Sequence, residues 1–165
     1  MAERKPELFI RAATATDVAL VLEFVRELAE YERLSSMVSA TEATLRDSLF
    51  GPQPGAEVVL AFAGDAPVGF SVFFHNFSTF LGKRGLWLED LFVKPQFRGQ
   101  GYGRELLLHV ARIAHQRGCG RFEWAVLDWN QSAIDFYTSL GAVALDDWTI
   151  HRVTGDALAK LAAAR

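Results

Sequence analysis

The segment Arg98-Gly99-Gln100-Gly101-Tyr102-Gly103 lies between a run of strand character and a run of helix character. Residues of these types at this spacing can bind phosphate. A helix start carries free backbone N–H groups and partial positive charge, both of which attract anions. Glycines permit close backbone approach and conformations that other residues disfavour, and Arg98 adds a charged donor. Two other glycine loops differ in pattern. A P-loop ends in Gly-Lys-Ser/Thr, whereas Gly103 precedes Arg104-Glu105. A dinucleotide fingerprint reads Gly-x-Gly-x-x-Gly, whereas these glycines alternate. The alternative is a tight turn without ligand; alternating glycines plus Arg at a helix start argue against it. Other reactive side chains are sparse. Cys119, in Arg117-Gly118-Cys119-Gly120, follows the far end of that helix and is expected to be structural rather than nucleophilic. With 1 cysteine, neither an intramolecular disulfide nor a multi-thiolate zinc site can form. His75, His109, His115 and His151 show no ligand spacing, so no metal is expected.

The elements that must position this loop follow from periodicity and punctuation. Leu8–Arg11 is a short strand. Thr14 or Thr16 caps the helix that follows, where Val18, Val21, Leu22, Val25 and Ala29 make a buried stripe. A weaker helix, Glu42–Leu49, stops at Gly51-Pro52-Gln53-Pro54-Gly55. Glu57–Ala63 and Val68–Asn76 read as a hairpin across Gly64-Asp65-Ala66-Pro67, and Gly85–Val93 as a third strand after Gly82-Lys83-Arg84. The helix opened by the glycine loop carries Leu107, Val110, Ala111 and Ala114 inward and ends at Gly118. Arg121–Leu127 is a strand and Gln131–Leu140 a helix ended by Gly141. Val143–Leu145 and Trp148–Val153 are late strands, and Asp156–Ala164 is a terminal helix. The order βααβββαβαβ(α) predicts an α+β fold: a mixed, mainly antiparallel twisted sheet flanked by helices.

The chain has 165 residues, expected to form one domain spanning 1–165. Hydrophobic residues make up 50% and charged residues 22%, a globular balance that excludes general disorder. Lys+Arg total 17 against 20 Asp+Glu, a net charge of −3, which lacks the basic surplus of a duplex nucleic-acid binder. The start, Met1 to Ile10, has no apolar stretch of signal-peptide length, and the longest apolar run, Val58 to Ala63, is far too short for a membrane span. A cytoplasmic protein that binds neither membrane nor nucleic acid is expected.

Gln96-Phe97-Arg98-Gly99-Gln100-Gly101-Tyr102-Gly103 resembles the Gln/Arg-x-x-Gly-x-Gly/Ala signature of the GNAT acyltransferases. Three further blocks are similar to the diamine acetyltransferase subfamily, which includes the spermidine/spermine and thialysine N-ε-acetyltransferases. They are Arg26-Glu27-Leu28-Ala29-Glu30-Tyr31-Glu32, Leu88-Glu89-Asp90-Leu91-Phe92-Val93, and Ala125-Val126-Leu127-Asp128-Trp129-Asn130-Gln131 with Phe136-Tyr137 following. The resemblance implies acetyl-CoA as co-substrate. Its phosphates would meet Arg98 to Arg104, with Gly99, Gln100, Gly101, Tyr102 and Gly103 between. Its pantetheine would pair along Leu91, Phe92 and Val93, with Asn130, Ser132, Ala133 and Phe136 as further contacts.

Acyl transfer to an amine requires that the amine lose a proton, that the oxyanion be stabilised and that the thiolate be protonated. A lysine-like amine has a pKa of about 10.4 and is an inert cation near pH 7. Glu89, late in the strand that precedes the loop, is the candidate base, acting directly or through water. Asp90 points to the opposite face if that strand is regular. Tyr137 matches the tyrosine that the family places close to the coenzyme sulfur, and a phenol can quench a leaving thiolate. A core position on an amphipathic helix, beside Ala133 and Ile134, is its other reading. A backbone N–H near Phe92 or Val93 is the implied oxyanion donor.

The resemblance also implies substrate contacts at Tyr31, Glu32, Glu89 and Asp90, and at an acid before the late Trp148, to which Asp146 is the nearest counterpart. Acids in these places favour a cationic amine. The spermidine/spermine enzymes carry Asp-Pro-Trp where this chain has Ser78-Thr79-Phe80. Phe80 can pack on an alkyl chain but loses cation–π attraction relative to Trp. The expected substrate is therefore a small aliphatic amine, thialysine- or lysine-like or a diamine, rather than a long polyamine. Protein lysine or N-terminal acetylation, and non-catalytic acyl-CoA sensing, are the competing readings. The subfamily implies a homodimer, for which Phe73, Phe74, Phe77 and Phe80 are candidate surface residues.

Overall fold

The computed structural model describes residues 7–164, so of the start read above, Met1 to Ile10, residues 1–6 lie outside the described residues. The chain divides into two units, Met1–Ala125 and Val126–Arg165.

The first unit holds β1 (Leu8–Ala12), α1 (Val18–Tyr31), α2 (Glu42–Phe50), β2 (Glu57–Ala63), β3 (Ala66–Ser78), β4 (Lys83–Val93), α3 (Tyr102–Gln116) and β5 (Phe122–Trp124). The strands lie in the order β1-β2-β3-β4-β5. The first four are antiparallel to their neighbours and β5 runs parallel to β4, giving the expected mixed sheet. β3 is the middle strand, and β4, which carries the candidate base, stands beside it.

Thr14 and Asp17 begin α1. Asp17 accepts from the Thr14 backbone N–H at 2.8 Å and pairs with both Arg11 guanidinium nitrogens at 2.7 and 2.8 Å. The stripe of α1 then packs on one face of the sheet, where Val21 and Phe24 meet Val58, Leu60, Phe70 and Phe92. Phe24 stacks on Phe70 with ring centroids 5.2 Å apart and meets Phe92 edge-on at 6.4 Å. A ring of this size buried in a core is worth roughly 3–5 kcal/mol against alanine. Phe62, by contrast, is only half-buried.

Lys94, just past β4, ties the end of that strand to α1 through Glu23 at 2.6 Å and Glu27 at 3.2 Å. The opposite face of the sheet is covered by Leu106, Leu107, Val110 and Ala114 of α3. Gly69 admits close packing: a Cβ there would stand 2.5 Å from the Phe92 carbonyl and 3.1 Å from Leu106 of α3. Gly118, with φ 67°, stops α3 as expected. Phe73, expected at the surface, is instead 1% exposed, because its place opposite Glu57 and Leu88 turns it inward; Phe77 and Phe80, at the β3–β4 tip, are exposed.

The second unit holds α4 (Gln131–Ser139) and α5 (Gly155–Ala163). The late strands expected at Val143–Leu145 and Trp148–Val153 do not form among the described residues. β-propensity is expressed only against a ladder partner, and this unit has no strand among its described residues to supply one. The chain turns instead, with Trp148 N–H donating to the Leu145 carbonyl at 3.1 Å. The strand expected over Arg121–Leu127 is likewise only three residues long, Phe122–Trp124.

Candidate active site

The β3–β4 register explains where the two carboxylates of β4 go. Val72 pairs with Asp90, and its neighbour Phe73 pairs with Leu88, so Glu89 is an extra residue in β4. Such a bulge breaks the alternation of side chains. Before it, Leu86 and Leu88 share the α3 side with Phe73; after it, Asp90 and Phe92 share the α1 side with Val72 and Phe70. The expectation that Glu89 and Asp90 occupy opposite faces of a regular strand is therefore corrected. Both serve one side, close enough for the Glu89 charge to act on Asp90.

Glu89 is exposed and is oriented by the Trp87 indole, whose Nε1–H donates to it at 2.9 Å. Asp90 turns inward. Burial, then the charges of Glu89 and Glu32, push its carboxyl up from an ordinary 3.8 to about 7. Burial also raises Glu32, at the end of α1. Three acids are thus gathered on one side of β4, and one of them binds its proton with an affinity matched to neutral pH.

The outer edge of β4 is open at the same level. β5 pairs with β4 only over Leu86–Leu88, so Leu91, Phe92 and Val93 have no ladder partner on that side among the described residues. The glycine loop follows. Gly99 and Gly101 take left-handed conformations, φ 72° and 85°, with no atom within 4 Å of where a Cβ would sit. Gly101 caps α3, whose first-turn N–H groups, as at any helix start, have no partner one turn back within the helix. Gly103 is inside the helix, and its Cβ position touches Val93 and Leu91 at ordinary distances of 3.7 and 3.9 Å. An open concave backbone, a helix start and an unpaired strand edge in sequence fit the diphosphate and the amide-bearing arm of a coenzyme A thioester.

Arg98 does not project freely. Its Nε–H donates to the Val93 carbonyl at 2.9 Å, and its guanidinium lies over the Tyr31 ring at 4.2 Å and the Phe92 ring at 5.5 Å. It therefore joins the glycine loop, the end of β4 and the end of α1. Sequence reasoning assigned Arg98 and Tyr31 to different ligands and missed their contact, for which no local pattern exists. The Trp87–Glu89 bond was also missed, although residues two apart on a strand are neighbours on one face. Gln100 is half-buried and Arg104 exposed, the latter 3.6 Å from Glu105. Phe80 is fully exposed at the hairpin tip.

In the second unit, Asn130 caps α4, its Oδ1 accepting from Ala133 N–H at 3.3 Å. Ala133, Phe136 and Tyr137 are half-buried on that helix, with the Phe136 and Tyr137 rings 5.2 Å apart, and Ser132 is exposed. Asp146 is exposed in the turn before Trp148.

Comparison with known proteins follows the same residues. Residues 21–142 match the model of the acetyltransferase (GNAT) family. The chain is 40% identical to the thialysine N-ε-acetyltransferase of Sus scrofa, over 94% of this chain and 97% of the relative. It is 32% identical to the L-ornithine N5-acetyltransferase of Arabidopsis thaliana, over 90% and 85%. Among solved structures, an integron cassette protein from the mobile metagenome of V. cholerae superposes with a TM-score of 0.80 at 29% identity, covering 95% of this chain and 98% of that one.

Proposed function

The chain belongs to the acetyltransferase (GNAT) family and is an acetyl-transferring enzyme, and we propose that it moves an acetyl group from acetyl-CoA to the primary amine of a small aliphatic substrate, thialysine- or lysine-like or a diamine, by direct transfer. The observation that carries the reading is the arrangement on β4. An acid pair at the bulge stands beside an open strand edge that leads directly into a glycine loop. The similarity to enzymes named for acetylating thialysine and ornithine supports the substrate class.

Acetyl-CoA supplies an activated acetyl thioester. Arg98 to Arg104 and the start of α3 would hold its phosphates, and the edge Leu91–Val93 its pantetheine. Asn130, Ser132, Ala133 and Phe136 complete its contacts in this reading. Glu32 and Asp90 seat the ammonium, and Glu89 accepts its proton directly or through water. Asp90, poised at about 7, can take a share of that proton near neutral pH. A backbone N–H at Phe92 or Val93 stabilises the oxyanion, and Tyr137 Oη–H protonates the departing thiolate.

Direct transfer fits the place of Cys119, which follows the C-terminal end of α3, roughly 20 Å along that helix from the glycine loop. Its Sγ is 3.8 Å from His75 Nδ1, in a group with Arg117 and Glu57 that fastens α3 to the sheet. The same reading makes both units one domain, the chain a cytoplasmic homodimer and the reaction metal-free. The family match, which crosses the boundary between the units, supports the first. Exposed Phe77, Phe80, Val143 and Trp148 support the dimer.

The test is free-thiol release from acetyl-CoA with thialysine, lysine, putrescine, spermidine and a lysine peptide. The reading expects the small amines to react and spermidine to lag. Reaction with the peptide alone would make it a protein acetyltransferase. Tight acetyl-CoA binding without release from any amine would make it a sensor.

A further inference from the structure

Arg33 is a non-glycine residue with a left-handed backbone, φ 61°. It closes α1 in a tight cap: Arg33 N–H donates to Glu30 at 3.0 Å, and Leu34 N–H reaches back to Ala29 at 2.7 Å. The cap folds the following segment back along the helix, and Met37 N–H then donates to the Leu34 carbonyl at 2.9 Å. Leu34, Met37 and Val38 thereby become one wall of a cavity of about 310 Å³, with Val25 and Leu28 of α1 among the other apolar residues that line it. Its charged lining residues are Glu32 and Asp90.

This combination is selective. Two acids call for a cation, and the apolar walls call for methylenes rather than water. The volume is at the small end of ligand cavities, which run roughly 300–1,000 Å³. Met37 is 73% exposed and Leu34 42%, so large apolar side chains are held over the cavity by a fixed backbone without being buried. An alkyl chain lying beneath them would cover that surface.

We propose that Leu34, Met37 and Val38 are specificity-determining residues that gauge the methylene stem of the amine, whose ammonium sits at Glu32 and Asp90. The proposal rests on the amine acetyltransferase reading above and adds the part of the chain that sets substrate length. Met37 is the adjustable member, since its unbranched thioether adapts to whatever it covers. Shortening it lengthens the space for the stem; a larger ring there shortens it.

The experiment measures kcat and KM by thiol release for 1,3-diaminopropane, putrescine, cadaverine and 1,6-diaminohexane. The native enzyme is compared with Met37→Ala and Met37→Trp, and thermal unfolding confirms that both variants fold. Met37→Ala should move the preferred amine one or two methylenes longer, and Met37→Trp shorter. The change should fall mainly on KM, about fourfold per methylene, which is the transfer value of about 0.8 kcal/mol per CH₂. Superimposable profiles, or shifts of both variants in one direction, would overturn the gauge while leaving the amine reading intact. A native enzyme that acetylates none of the four, nor thialysine, would overturn the amine reading and the gauge with it.

Discussion

Asp90→Asn replaces a carboxyl that burial, Glu89 and Glu32 keep protonated up to a pKa of about 7. Asparagine has nearly the same shape and is neutral, so it mimics the protonated acid at every pH. The native chain binds this proton more tightly folded than unfolded. Below pH about 4 both states hold it, and the fold is unpenalised. As pH rises from about 4 to 7 the unfolded chain releases it first, so stability falls with pH and the penalty is complete above 7. Each tenfold change in proton affinity is worth about 1.4 kcal/mol, and the span from 3.8 to about 7 thus corresponds to about 4 kcal/mol. Partial exposure of Asp90 reduces this to about 2–4 kcal/mol. Urea unfolding of both proteins at pH 4, 6 and 8 reads the difference directly, and titrating groups that do not interact with Asp90 cancel between them. Asp90→Asn should match the native protein at pH 4 and exceed it by about 2–4 kcal/mol at pH 8. It should also lose kcat/KM for the amine, since in the proposed reading the group that weakens the fold is the one that seats the cation. A difference that does not change with pH, or a variant less stable at pH 8, would refute the reasoning.

Tyr137→Phe should lower kcat by about 10²–10⁴-fold with acetyl-CoA affinity little changed, as titration calorimetry beside steady-state kinetics would show; an unchanged kcat removes its acid role. Gly101→Ala should destabilise the fold by about 1–2 kcal/mol through its left-handed backbone and weaken acetyl-CoA binding. Gly103→Ala, inside α3 with only ordinary contacts, should be neutral or stabilising by up to about 1 kcal/mol in the same denaturation assay. Cys119→Ala should retain turnover under direct transfer; a folded but inactive variant would contradict it.

Much of the site was legible because its signals are local. Alternating glycines at a strand-to-helix junction announce a left-handed backbone, found at Gly99 and Gly101, since few other residues take that conformation. The α1 and α3 stripes, the β2–β3 hairpin and the glycine stop of α3 follow from the same short-range rules. Phe73 and the late strands did not, because burial and pairing depend on what stands opposite. An aromatic-rich run reads alike on either face, and Val143–Leu145 has strand propensity but no ladder partner among the described residues.

The sequence by itself supplied the residues on which the proposed chemistry rests: a glycine-rich loop at a helix start, acids at Glu32, Glu89 and Asp90, and a phenol at Tyr137. Only the tertiary structure decided how the acids are placed. The bulge at Glu89 arises from pairing with β3 and puts both β4 carboxylates on one side, where burial and then the charges of Glu89 and Glu32 raise Asp90 toward neutral pH. The stack of Arg98 on Tyr31 joins segments distant in sequence, and the local fold-back at Arg33 brings Met37 to the cavity that Asp90 also lines. Register, burial and through-space charge are properties of the packed chain, and no residue spacing encodes them alone.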